Sequence, residues 1–261
     1  MKQDDMNRED ASGDGGTGRS CVAIPHEPVP GFAEIGFTAF TTTRQAGSFD
    51  PGSPEPAAAV FRRWMALLEA LRPDVHRLAS AHQVHGARIL VHGDAWSGWL
   101  RDPSGADGHL TRCAGTAMAV SLADCVPVFI AHPSGTGAVL HSGWKGTAAG
   151  ILTRGIAAFV RLGLPPAELV MHLGPAICGR CYEVGPDVYR ALTGDTVAQP
   201  APVDLRAVLA RQAREAGADV TVSPWCTRCH NERFFSHRAG DVGRQLAVLA
   251  TGSPVSARQS Q

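Results

Sequence analysis

The chain has 261 residues, of which 44% are hydrophobic, and its 24 Lys and Arg residues balance its 24 Asp and Glu residues. This length can bury a substantial core, so we expect one compact domain over residues 21–261. The balanced charge provides no overall field that would attract nucleic acid or an anionic membrane, so neither is expected as a partner. A small-molecule partner is favoured.

The first twenty residues are polar and glycine-rich and contain no apolar stretch typical of a signal peptide. We predict that residues 1–20 form a disordered extension. No run approaches the roughly 20 apolar residues that span a bilayer, so a membrane location is not expected. Seven cysteines without a secretory signal favour reduced thiols and a cytoplasmic location.

Helical and extended patterns alternate along the chain, and they predict an α+β fold: a single layered domain of mixed β-sheets with flanking helices. The predicted elements are a helix over 57–71, strands over 88–92, 126–131 and 138–141, a helix over 150–164, a strand over 169–173, a helix between an Asp204 N-cap and Gly217, and a strand over 220–223. The segments 47–56, 102–108 and 193–202 are predicted surface loops. This pattern does not determine the order of the strands.

The predicted helices each carry an apolar face. The residues assigned to these faces are Val60, Trp64, Leu67, Leu68 and Leu71 in the first helix, Leu152, Ile156, Phe159 and Val160 in the second, and Leu205, Val208 and Leu209 in the third.

Three residues at predicted strand ends have the chemistry of metal ligands. Cys125 begins the run VPVFIA, His141 ends GAVLH, and His85 precedes another predicted strand. Two imidazoles and one thiolate suit zinc, and three protein ligands leave a fourth position open for chemistry. The spacing alone favours packing roles for Cys125 and His141 over metal binding. His82 is interpreted as a packing or supporting residue and not as a ligand.

The same residues allow two other functions. Cys125 can act as a thiolate nucleophile with His141 as its base, in an amidase or other hydrolase of peptides or cell-wall precursors. A protein that binds metal or nucleoside without catalysis is the third hypothesis.

Several motifs occur together in one order: TTTRQAG (41–47), QVHG (83–86), ADCVPV (123–128), HSGWKGTAAGI (141–151), GPAICGRCYEVG (174–185), and CTRCHNERFFSHR followed by GRQ (226–245). This set resembles the YfiH-type laccase-domain family, also called the multicopper polyphenol oxidase family. The resemblance implies a YfiH-like fold and a metal, usually zinc, held by His85, Cys125 and His141. Copper is the less favoured metal, because multicopper oxidases need paired H-x-H motifs and this chain contains none.

The resemblance also implies a purine nucleoside enzyme. Its members carry out phosphorolysis of adenosine, inosine, guanosine and methylthioadenosine, and deamination of adenosine, so purine nucleosides and phosphate are the expected partners. Asp124 is the predicted catalytic carboxylate, although a turn or orienting role is equally open, and Glu183 is the second candidate.

Phosphorolysis requires an anion site, which we predict at Arg44 and Lys145. The family usually has arginine where Lys145 stands, and lysine lacks the planar fork that grips phosphate. Trp144 is a candidate for stacking on a purine or for core packing.

Two C-x-x-C pairs, Cys178 with Cys181 and Cys226 with Cys229, are separated by 44 residues. Such pairs are compatible with a structural four-cysteine zinc site, but their separation is wider than in most zinc ribbons. We therefore favour packing thiols at these positions.

Overall fold

The computed structural model describes residues 24–252, so the predicted disordered extension and Cys21 lie outside the described residues. Twelve strands of this part form two six-stranded sheets, and two form a small antiparallel pair. No helix among residues 24–252 is long and apolar enough to cross a membrane.

The first sheet contains both chain ends of the described part. Its spatial order is β1-β2-β14-β7-β3-β5, antiparallel from β1 to β7 and parallel from β7 to β5. The strands are β1 (His26–Pro28), β2 (Phe37–Thr42), β3 (Arg77–Ala81), β5 (Gly98–Asp102), β7 (Thr116–Leu122) and β14 (Gln245–Thr251).

The second sheet carries two of the predicted metal ligands at or beside its strands. Its order is β13-β10-β8-β9-β6-β4, with parallel pairs at both edges and antiparallel pairs between them. The strands are β4 (Ile89–His92), β6 (Gly108–Thr111), β8 (Val126–Ala131), β9 (Gly137–Ser142), β10 (Val170–Leu173) and β13 (Thr221–Val222), while β11 (Glu183–Val184) and β12 (Ala201–Pro202) form the small pair.

Within residues 24–252, five α-helices accompany the sheets: α1 (Ala57–Ala70), α2 (Trp144–Ala148), α3 (Ile151–Arg161), α4 (Pro186–Thr193) and α5 (Leu205–Glu215). Short 3₁₀ helices occupy Ala33–Ile35, Arg44–Ala46, Pro166–Glu168, Gly179–Cys181 and His237–Ala239. The Asp204 side chain accepts a hydrogen bond from the Arg206 N–H, which confirms the predicted N-cap of α5. Gly217 follows the helix at a φ of 81°, a conformation that favours glycine.

The two sheets pack face to face between two layers of helices. Phe129 and Val139 of the second sheet share a buried cluster with Met118 and Leu249 of the first. Helix α1 covers the outer face of the first sheet, and α3 and α5 cover the outer face of the second. Because β8 is buried on both faces, its sequence is a continuous apolar run. The predicted layered α+β class is therefore confirmed.

The predicted strands all belong to the second sheet, and the sequence analysis assigned none of the strands of the first. Strands β3 (RLASA) and β14 (QLAVLAT) are rich in alanine and leucine, which favour helices in isolation. These segments nevertheless form strands, because they are packed between α1 and the second sheet.

The assignment of Val160 to the apolar face of its helix was wrong. Val160 is 48% exposed, because it follows Phe159 by about 100° around α3 and lies outside the buried stripe.

Candidate metal centre and active site

The structure brings the three predicted ligands together from distant parts of the chain. One donor atom each from His85, Cys125 and His141 lies within 4.8 Å of the other two. His85 lies in the loop between β3 and β4, Cys125 in the turn between β7 and β8, and His141 within β9. His85 is exposed, Cys125 is half-buried and His141 is buried. The cluster is therefore accessible to solvent at His85.

Asp107 is the residue that aligns two of these ligands, and sequence analysis missed it. Its carboxylate is completely buried and accepts a hydrogen bond of 2.9 Å from His141 Nδ1. It also accepts hydrogen bonds from the backbone N–H groups of Val84, His85 and Gly86 at 3.2, 2.9 and 2.7 Å. This arrangement fixes the His141 tautomer and leaves Nε2 for a metal. The position lies in a predicted surface loop, so only the fold reveals its role.

The His85 loop has a second anchor in Gln83. The Gln83 amide pairs with the backbone of Ser121, donating to its carbonyl at 2.8 Å and accepting from its N–H at 2.7 Å. His85 itself has a φ of 58°, which is uncommon for a residue other than glycine. The hydrogen bonds that Asp107 accepts from this loop and those that Gln83 forms with Ser121 offset the cost of this conformation.

The turn after His141 requires glycine because its backbone passes close to neighbouring atoms. A Cβ atom at Gly143 would lie 2.9 Å from Cys125 Sγ and 3.3 Å from His85 Cδ2, and one at Gly146 would lie 2.9 Å from the Gly86 carbonyl oxygen. Only glycine lets this backbone pass beside the ligands. The segment therefore lines the His85–Cys125–His141 cluster.

The electrostatics of the cluster favour a thiolate. Burial opposes ionisation of Cys125, but the charge of His141 and hydrogen bonds with His141 and His85 lower its pKa to about 6. Burial likewise disfavours the charged imidazole of His141, but Cys125 and Asp107 raise its pKa to about 9. In Asp107, burial is outweighed by the hydrogen bonds with His141 and Gly86, so its pKa is lowered. The thiolate is the form that binds metal.

Both oxygens of the Asp124 carboxylate accept hydrogen bonds within the protein. Its Oδ1 accepts from Thr227 Oγ1 at 2.7 Å and its Oδ2 from the Arg238 N–H at 2.7 Å. The residue has a φ of 82° and is buried. These contacts favour the orienting role in the turn that precedes Cys125. The second candidate, Glu183, is exposed on β11.

The two predicted phosphate ligands have different surroundings. Arg44 donates to the Asn231 carbonyl at 2.8 Å and to Asp241 at 2.5 Å, so its side chain binds the C-terminal loop. Lys145 is exposed, with its ammonium 5.7 Å from the centre of the Trp144 ring. Trp144 is half-buried and packs against the core beside α3 and α5. The structure thus leaves Lys145 accessible to an anion and engages Arg44.

Tyr182 is a further residue near the centre that the sequence analysis did not single out. Burial raises its pKa, and the negative charges of Cys125 and Asp124 add to this effect, whereas Arg238 opposes it. The guanidinium of Arg238 stacks 5.1 Å from the centre of the Tyr182 ring. His82, in contrast, is exposed and does not pack in the core, and among the described residues it belongs to neither cluster of possible metal ligands.

Sequence comparisons give the family of the chain. A family model described as multi-copper polyphenol oxidoreductase laccase matches residues 44–252. A Streptomyces coelicolor protein named purine nucleoside phosphorylase is 36% identical over 202 residues, covering 73% of this chain and 81% of the relative. A protein named adenosine deaminase RL5, from an unknown prokaryotic organism, is 31% identical over 204 residues, covering 70% of this chain and 78% of the relative.

Solved structures have the same fold. YlmD from Geobacillus stearothermophilus has a TM-score of 0.80 at 28% identity, with 88% of this chain and 97% of that chain covered. The Bacillus licheniformis protein YfiH has a TM-score of 0.78 at 25% identity, with 87% and 97% covered. Together with the match over residues 44–252, these similarities confirm that the chain belongs to the YfiH-type family of multi-copper polyphenol oxidoreductase laccases.

Proposed function

We propose that this protein is a zinc-dependent purine nucleoside enzyme, which cleaves adenosine, inosine, guanosine and methylthioadenosine with phosphate and also deaminates adenosine. The observation that carries the proposal is the convergence of His85, Cys125 and His141 donor atoms within 4.8 Å. The names of the relatives, purine nucleoside phosphorylase and adenosine deaminase, supply the substrate class.

The donor set fits zinc. One thiolate and two imidazoles are the borderline-soft ligands that zinc prefers, and three protein ligands are typical of catalytic zinc sites. A zinc ion bound there would supply a Lewis acid with a free coordination position. Laccase chemistry is not proposed, because the copper centres of laccases require ligand motifs that this chain lacks.

The residues of the chain would perform three tasks in this reaction. Asp107 pairs with Nδ1 of His141 and would leave its Nε2 free to hold a metal. Asp124 positions the turn that carries Cys125, and its predicted role in proton transfer would require release from Thr227 or Arg238. Lys145 would attract the phosphate, whereas Arg44 would contribute only if it left Asp241.

Product analysis tests the proposal. Purified protein is incubated with adenosine, with and without phosphate and a chelator, and the products are separated by chromatography. We expect adenine only when phosphate is present, some inosine in either case, and neither product after chelation or in Cys125→Ser. Cys113→Ser is the matched control, because Cys113 lies outside both cysteine-containing clusters. Absence of both products from a zinc-loaded sample with abundant phosphate would refute the proposal.

A Cys–His hydrolase is the second candidate, and one observation favours it. The paired pKa values, about 6 for Cys125 and about 9 for His141, describe a thiolate beside an imidazolium in the metal-free cluster. However, the imidazole of His85 also lies beside the Cys125 thiolate. A metal site needs this second imidazole, whereas a nucleophile with one base does not. Chelation separates the two: it would abolish nucleoside conversion but leave a hydrolase active.

A further inference from the structure

The two C-x-x-C pairs converge at a second place in the molecule. The sulfur atoms of Cys178, Cys181, Cys226 and Cys229 lie within 4.8 Å of one another, and those of Cys181 and Cys229 are 3.4 Å apart. A tetrahedral zinc site with Zn–S bonds of about 2.3 Å requires sulfur separations of about 3.8 Å. We propose that these four cysteines form a tetrathiolate zinc site, separate from the His85–Cys125–His141 centre.

The local backbone is arranged to support thiolates. A parallel bridge between Ala176 and Cys226 brings the two cysteine segments side by side. The backbone N–H groups of Cys178 and Cys229 then point to Cys226 Sγ at 3.3 and 3.4 Å. Hydrogen bonds from N–H groups stabilise the negative charge of a thiolate. Cys226 therefore has the surroundings of a metal ligand.

Core packing, which the sequence favoured, does not account for these residues. Cys226 is buried, but Cys178 and Cys181 are only half-buried and Cys229 is exposed. Three partly exposed thiols contribute little apolar burial, and nothing about packing requires four sulfur atoms to meet. All four are free thiols, as metal ligation demands.

The charges around the cluster are suitable for a zinc site. Zinc with four thiolates is a doubly negative centre, which nearby cations stabilise. Each C-x-x-C pair contains an arginine before its second cysteine, Arg180 and Arg228, and both are exposed. Arg228 also donates to the Cys181 carbonyl at 3.4 Å, which joins the two segments.

A metal at this cluster would stabilise the turn at Asp124, which precedes Cys125. Thr227 follows Cys226 directly and donates its hydroxyl to Asp124, while the N–H of Ile177 donates to the Asp124 carbonyl at 3.1 Å. Asp124 in turn precedes Cys125. The tetrathiolate site therefore stabilises the turn from outside the reaction centre, and its existence does not depend on the proposed nucleoside chemistry.

Metal analysis of single variants tests the site. Zinc per chain is measured by mass spectrometry for the wild type, Cys125→Ser and Cys229→Ser, each expressed as the full chain and checked by circular dichroism. We expect Cys229→Ser to carry one zinc fewer than the wild type. Cys125→Ser should keep the zinc of the four-cysteine site but lose nucleoside conversion. In Cys125→Ser, substituted cobalt should show the intense sulfur-to-metal absorption of four thiolates.

Two further variants separate ligation from other roles. Cys229→His replaces one zinc ligand by another and should restore the metal that Cys229→Ser loses, which neither a packing residue nor a disulfide partner would do. Cys113→Ser should leave the zinc content unchanged. The proposal would be overturned if Cys229→Ser kept the zinc content of the wild type. It would also be overturned if reduction of the denatured chain released four additional titratable thiols, because these cysteines would then form disulfides.

Discussion

Among single residues, Asp107 has the most direct contacts with the proposed metal ligands, although no sequence motif pointed to it. It joins His141 to the backbone of the His85 loop, so its loss would disturb two of the three proposed metal ligands at once. Asp107→Asn preserves the size of the side chain but removes its charge and one acceptor oxygen. We expect zinc affinity at this centre to fall about 10- to 100-fold.

A competition titration with a chromophoric chelator measures the change in Asp107→Asn. Zinc binding by the four-cysteine cluster, followed in a Cys125→Ser background, serves as the internal control. An unchanged affinity at the His85–Cys125–His141 centre would show that Asp107 does not orient the ligands.

Gly143 provides a second test at this scale, because its backbone passes directly beside Cys125. In Gly143→Ala the new Cβ would lie 2.9 Å from Cys125 Sγ, so the thiolate or the turn must shift. We expect loss of most nucleoside conversion and of zinc at this centre, with the fold retained. Gly93→Ala is the matched control, since a Cβ there has no heavy atom within 4 Å. Equal activity in the two variants would contradict this role of Gly143.

At the scale of elements, helix α1 is attached to the first sheet by Trp64. This side chain is 1% exposed, stacks on Trp99 of β5 with ring centres 4.6 Å apart, and donates to the Phe49 carbonyl at 3.0 Å. Trp64→Ala should lower the free energy of unfolding by about 3–5 kcal/mol.

Urea denaturation followed by circular dichroism measures the effect of Trp64→Ala. Phe61→Ala in the same helix is the control, because Phe61 is 54% exposed and its truncation removes far less buried surface. A similar loss in both variants would mean that this face of α1 does not anchor the helix.

At the scale of the whole molecule, an ion pair between Arg44 and Asp241 joins positions 197 residues apart. Burial raises the pKa of Asp241, but hydrogen bonds from Arg44, the Ser236 N–H and Asn231 outweigh it, and the pKa is lowered from 3.8. A carboxyl group whose pKa is lower in the folded state stabilises the fold above the unfolded-state pKa. This contribution is lost as the pH falls through the folded-state pKa.

The pH dependence of Asp241→Asn follows from that sign. The difference in unfolding free energy between wild type and variant should be constant near neutral pH and should shrink below about pH 4. Urea denaturation at several pH values measures it, with Asp187→Asn as the control, since the Asp187 side chain is 96% exposed. A difference that stays constant through the acid range would exclude this role of the ion pair.

The first sheet illustrates why sequence patterns identify only part of such a fold. Its strand β7 (TAMAVSL) has no clear alternation, because both of its faces are buried in different cores. The β-branched strands of the second sheet have a strong local preference: β8 (VPVFIA) was predicted at its observed bounds, and β4, β9, β10 and β13 within one residue at each end. Local preference thus identifies a strand only where it agrees with tertiary packing.

Residue types and near neighbours in the chain were enough to predict His85, Cys125 and His141 as candidate metal ligands, to locate five strands of the second sheet, and to identify the family. These properties depend on residue type and on neighbours within a few positions. Contacts between distant residues depend on the fold: Asp107 pairs with His141, Asp124 accepts a hydrogen bond from Thr227, and the two C-x-x-C pairs form one cluster. Strand order and sheet packing bring together residues that are tens of positions or more apart in the sequence. A pattern of neighbouring residues does not specify which of them will meet.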